Sequence, residues 1–161
     1  MKASRSLIMS GLLVIAAAAS AAAQTATQTV TLQVDAINQV AVTGTPSLTI
    51  TAAVAGNAPT TVTSTGNTWA VTTNQTGAKI TASIGSAMPT GVTLSANLGA
   101  PTGGTSAGLK ALGTAAVDVV TGITKLNESG LTLSYQLDAT SAAGVIASTT
   151  RVVTYTITGG A

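Results

Sequence analysis

Leu131-Thr132-Leu133-Ser134-Tyr135-Gln136-Leu137 alternates apolar and polar residues without a break. Successive side chains on a strand point to opposite faces, so this stretch buries the three leucines and Tyr135 and turns Thr132, Ser134 and Gln136 away. The same period of two recurs on both sides of it. Val30, Leu32 and Val34 alternate with threonine and glutamine. Leu48, Ile50 and Ala52 alternate with Thr49 and Thr51, and Trp69 and Val71 with Thr68, Ala70 and Thr72. Ile80-Ala82-Ile84, Val92-Leu94-Ala96-Leu98, Val117-Val119 and Val153-Tyr155-Ile157 complete the set. Threonine on the other face suits a pleated, solvated surface.

The segments between these runs carry turn residues. Gly44-Thr45-Pro46, Gly56-Asn57-Ala58-Pro59, Gly66-Asn67, Asn74-Gln75-Thr76-Gly77, Met88-Pro89-Thr90-Gly91 and Asn127-Glu128-Ser129-Gly130 all read as turns. Short strands at roughly 8–12-residue spacing predict an all-β fold, an antiparallel β-sandwich of the Ig-like or jelly-roll kind with about eight to ten strands. Pro101 to Gly108 reads as a flexible loop. Leu109 to Ala116 could form a short helical turn, and Gly108 and Gly113 argue against a long one.

The first 23 residues have the three parts of a signal peptide. Lys2 and Arg5 form the basic start, Leu7 to Ala19 the apolar run, and Ala21-Ala22-Ala23 an A-x-A cleavage site. The apolar run is shorter than the roughly 20 residues that span a bilayer. The expectation is a chain beginning at Gln24, with residues 24–161 as a single domain. It would be secreted to the periplasm, the cell surface or the medium, without membrane insertion once the leader is gone.

Composition then excludes much chemistry. The chain has no cysteine, no histidine and no phenylalanine, and 6% of its residues are charged. A cysteine-free chain offers no disulfide and no lipid attachment site, so the domain must hold together by packing and strand pairing. Its 45% hydrophobic content and mean hydropathy of +0.51 argue against disorder. After the leader, Lys79, Lys110, Lys125 and Arg151 balance Asp35, Asp118, Glu128 and Asp138. A neutral surface predicts no nucleic-acid partner and no attraction to anionic lipid.

Without histidine or cysteine, Ser-His-Asp and Cys-His nucleophiles cannot exist, and zinc, copper and haem lose their usual ligands. No S-x-x-K signature supports a Ser-Lys pair, and Gly103-Gly104 lacks the G-K-[ST] of a phosphate loop. Two carboxylates could in principle serve a glycosidase, or several a calcium ion. The four acids are dispersed, and each reads as a solvated surface group. Asn74-Gln75-Thr76 and Asn127-Glu128-Ser129 match a glycosylation acceptor and read equally as turns. No catalytic, cofactor-binding or metal residue is expected, and no enzyme activity.

Two features remain as candidate sites. Gln24 to Asp35 holds an amphipathic strand at the free end of the processed chain, with Val30, Leu32 and Val34 on one face. It is either the first strand of its own sandwich or a strand donated to a neighbouring subunit. Trp69 is one of three aromatic residues, with Tyr135 and Tyr155. Its alternation with Val71 favours a core anchor, while Gly66-Asn67 just before it would suit a ligand contact at a turn.

Several segments carry a resemblance. Ser47-Leu48-Thr49-Ile50, Asn67 to Asn74, Lys79 to Ile84, Pro89 to Leu94, Val120 to Ile123, Gly130 to Leu137 and Val153 to Thr158 resemble a loose group of uncharacterised secreted bacterial β-sandwich proteins. In layout the chain is similar to fimbrial and coat subunits. Chaperone–usher pilins carry a disulfide, which this chain cannot form. The resemblance implies a structural subunit of a surface appendage, coat or extracellular matrix, with itself or another envelope protein as partner. The alternative is a non-catalytic module binding carbohydrate or another surface ligand.

Overall fold

A computed structural model describes residues 23–160 of the chain. The expected leader falls outside the described residues, apart from Ala23. Val34 onward forms one compact unit, and residues up to Gln33 belong to a separate one. In the described part of that first unit, residues 23–33, there is no strand or helix.

The compact unit contains nine strands: β1 Asn38–Thr43, β2 Val62–Thr73, β3 Ala78–Ile84, β4 Val92–Leu98, β5 Thr105–Ser106, β6 Lys110–Ala111, β7 Val117–Ile123, β8 Leu126–Ala139 and β9 Val153–Thr158. One 3-10 turn, Ser141–Ala143, lies between β8 and β9. All pairings are antiparallel. One sheet runs β1-β2-β8-β4-β6 and the other β5-β7-β3-β9, and the two pack face to face as a sandwich. β1 lies near β9 on one side, and β4 near β7 on the other.

The core is built from the alternation read in the sequence. Leu133 and Tyr135 are buried, and Leu131 and Leu137 pack on the same cluster. Trp69, Val71, Ile80, Ala82, Ile84, Ala96 and Leu98 join them from the other strands.

Two expected turns are β-bulges instead. Thr65-Gly66 sits opposite a single residue of β8, and Ser129-Gly130 opposite a single residue of β2. Gly66 (φ +82°) and Gly130 (φ +71°) take the left-handed backbone that a bulge of this kind needs. Each bulge shifts the inward parity of its own strand. Ser64 is followed inward by Asn67, and Glu128 by Leu131. Because one extra residue lies on each strand, the second bulge restores the register the first one shifted.

The connection between β7 and β8 instead turns at Thr124-Lys125, with Lys125 at φ +43°. It lies against the β2–β3 turn: Lys125 N–H donates to the Gln75 carbonyl (2.9 Å), and Gly77 N–H to Thr124 Oγ1 (3.1 Å). Both turns carry the chain from one sheet to the other.

Three further expectations are corrected. Leu48 and Ile50 are half-buried as alternation requires, but this stretch is no strand; only a single bridge, Ala53 to Pro59, forms nearby. Leu109 to Ala116 holds β6, not a helical turn, and buries Leu112. Thr29 to Val34 joins neither sheet, so it is not the first strand of its own sandwich. The first strand begins at Asn38, after the expected break at Asp35 to Ile37.

Candidate functional site

The carboxylates are placed singly. Asp118 on β7 pairs with Lys79 on β3 (Nζ to Oδ1, 3.0 Å), a half-exposed bridge of small energetic weight. Glu128 accepts the Thr102 backbone N–H (2.7 Å). Asp138 accepts the Thr61 hydroxyl (2.5 Å) and the Gln136 amide (2.9 Å). The Asp35 carbonyl accepts from Asn74 Nδ2 (2.7 Å), and Ile37 N–H donates to Asn74 Oδ1 (2.8 Å), which ties the entry of β1 to the end of β2. The carboxylates of Asp118, Glu128 and Asp138 thus each serve a local contact of the fold, and Asp35 contributes its backbone carbonyl. Among the described residues, no group of three acids could hold a metal ion.

Trp69 lies in the core at 1% exposure, so its ring offers no stacking face at the surface. Val42 is its register partner on β1 and Leu131 on β8. The ligand-contact reading of Trp69 therefore loses its geometric basis. Gly66 and Asn67, which suggested a turn, belong to the bulge.

Two shallow depressions share Thr72 and Asn127. One, of about 330 Å³, is lined also by Ile37, Asn74, Lys125 and Leu126. The other, of about 250 Å³, is lined by Ala70, Glu128 and Ser129. Both are open, and neither collects aromatic rings or converging charges.

Tyr155 on β9 and Tyr135 on β8 meet across the sandwich, hydroxyl to hydroxyl at 3.0 Å. Burial pushes the Tyr155 hydroxyl well above its ordinary value of 10.0, and the bond to Tyr135 pushes it further. Burial raises Tyr135 too, partly offset by the bond from Tyr155. These hydroxyls stay protonated and act as a structural link between sheets.

The features that stand out lie at the strand edges and in the N-terminal segment. Val30, Leu32 and Val34 are 68%, 87% and 81% exposed. Three large apolar side chains at alternate positions make a strand-like face, unlike singly scattered surface residues. Other exposed apolar residues, including Val145, Ile146 and Val152, lie in the connection before β9. Among the described residues, β1 and β9 each have one strand neighbour, so each presents a free edge. Sequence alternation located the N-terminal face, but the free edges depend on strand order, which no local pattern encodes.

No family model, no curated protein and no solved structure matches the chain. Among the described residues, no helix is long and apolar enough to cross a membrane.

Proposed function

We propose that this chain is a secreted, non-catalytic structural subunit that assembles with copies of itself through its N-terminal strand. The observation that carries the reading is the exposed alternation of Val30, Leu32 and Val34 in a segment that joins neither sheet. Left in water, such a face forgoes roughly 1.5–3 kcal/mol per large apolar side chain relative to full burial. Strand addition at a neighbour's edge would bury it and satisfy backbone groups on both partners. The balanced charge of the processed chain sets little like-charge repulsion against close subunit contact.

Deleting residues 24–34 tests this. The shortened protein should remain folded and soluble but lose assembly, seen as the disappearance of filaments or ladders in negative stain. Assembly that survives the deletion contradicts the reading. Export is tested by the mass of protein recovered outside the cytoplasm, which should begin at or near Gln24; an intact Met1 there contradicts it. A binding module for carbohydrate or another surface ligand is the second reading. The open depression beside Thr72 and Asn127 is the surface it would use.

A further inference from the structure

The side of the sandwich between β1 and β9 is less well covered than the opposite side. On the far side, Ala96, Leu98, Val119, Val120 and Ile123 are all 0% exposed. The connection that carries β5 and β6 closes that side, burying Pro101 and Leu112. On the near side burial falls off in both sheets. Val40, Val153, Tyr155 and Ile157 are only half-buried, and Val42 is 46% exposed.

The backbone of β9 is offered in step with these side chains. β9 pairs with β3 without a bulge, and Gly85 N–H donates to the Val152 carbonyl (3.0 Å) at the next position of the same register. Antiparallel pairs alternate between bonded and non-bonded. The bonded residues of β9 are therefore Thr154, Thr156 and Thr158. The N–H and C=O groups of Val153, Tyr155 and Ile157 point away from β3, along the free edge. β1 is the less apolar acceptor: its corresponding set is Asn38, Val40 and Val42, which puts a polar side chain where β9 has only Val153, Tyr155 and Ile157.

We propose that Thr29 to Val34 of one copy adds antiparallel to the free edge of β9 in a second copy, with Val30 opposite Ile157, Leu32 opposite Tyr155 and Val34 opposite Val153. This rests on the structural-subunit reading and names the surface it uses. The register matches each outward backbone pair of β9 with an alternate residue of the incoming strand. Opposed side chains share a face, so Val30, Leu32 and Val34 enter the under-covered side of the core. Chain length assigns the strand to another copy. Gly159, just past β9, lies against the side chains of Asn38 and Gln75. In this register Val34 sits beside Val153, and the strand from there to Gly159 spans about 20 Å at roughly 3.3 Å per residue. The chain from Val34 to Asn38 reaches at most about 14 Å. A strand folding back on its own β9 would have to run in the parallel direction.

The chain's lack of cysteine makes the test clean. In this register Thr31 faces Thr156 as a non-bonded pair on the outer face, with Cα atoms about 4.5 Å apart, within the range a disulfide spans. Oxidised T31C/T156C protein should give a covalent ladder between copies, and a mixture of T31C and T156C should give the mixed dimer. T31C paired with T132C, on the outer face of the other sheet, should give neither. A disulfide closed within one T31C/T156C chain overturns the proposal. If the unsubstituted protein assembles but T31C/T156C gives no ladder, another surface carries assembly: this inference fails and the subunit reading stands. If the unsubstituted protein stays monomeric, both fail.

Discussion

The hydroxyl of Tyr155 donates to the hydroxyl of Tyr135 across 3.0 Å, joining an edge strand of one sheet to a central strand of the other. Burial desolvates each hydroxyl, and each meets the other as its partner. Replacing either tyrosine by phenylalanine should cost about 0.5–1.5 kcal/mol, and the double variant should cost less than the two singles together. Denaturant unfolding of the four proteins measures this. Strict additivity would mean that the two hydroxyls do not depend on each other.

The same pair sets an alkaline limit. Both hydroxyls hold their protons above the ordinary value of 10.0 when folded. As pH rises through about 10, the unfolded chain releases these protons while the folded chain keeps them. The unfolded state then binds fewer protons, so stability must fall with further increase in pH. Stability should therefore be insensitive to these groups below about pH 9 and decline above 10. Tyrosinate absorbance should emerge together with unfolding. Early tyrosinate absorbance in a still-folded protein would contradict this.

Leu133 is 2% exposed and Thr132 is exposed on the opposite face of β8. Leu133→Ala should cost about 2–5 kcal/mol, and Thr132→Ser no more than about 0.5 kcal/mol. Thermal unfolding ranks them. The reverse order would put the strand out of register by one residue.

The paired bulges make a separate prediction. Gly66 and Gly130 both have positive φ, and an added Cβ at either would meet nothing within 4 Å. Backbone strain alone then decides, and Gly→Ala should destabilise each by about 1–2 kcal/mol. Gly113, without positive φ and equally open, should tolerate alanine or gain up to about 1 kcal/mol. Equal effects at all three positions would contradict the bulge geometry.

The alternation of Leu131 to Leu137, Ile80 to Ile84 and Val153 to Ile157 identified strands and inward faces because burial on a sheet follows a period of two. Glycine was less informative. Gly66 and Gly130 mark positive φ, which a turn and a bulge both need, and only the pairing of β2 with β8 separates them. The Thr124-Lys125 turn was hidden because neither residue is typical of a turn. β1 was missed because only Val40 and Val42 mark its inner face. At the candidate site, the apolar face of Val30, Leu32 and Val34 was legible. The free edge of β9 was not, because it follows from long-range strand order.

Sedimentation velocity of the processed protein across a wide concentration range tests the central claim most directly. Self-association through the N-terminal strand predicts species larger than the monomer that grow with concentration, and a single monomeric species once residues 24–34 are removed. A full-length processed protein that sediments as a monomer at every concentration would contradict the account and leave the binding-module reading in its place.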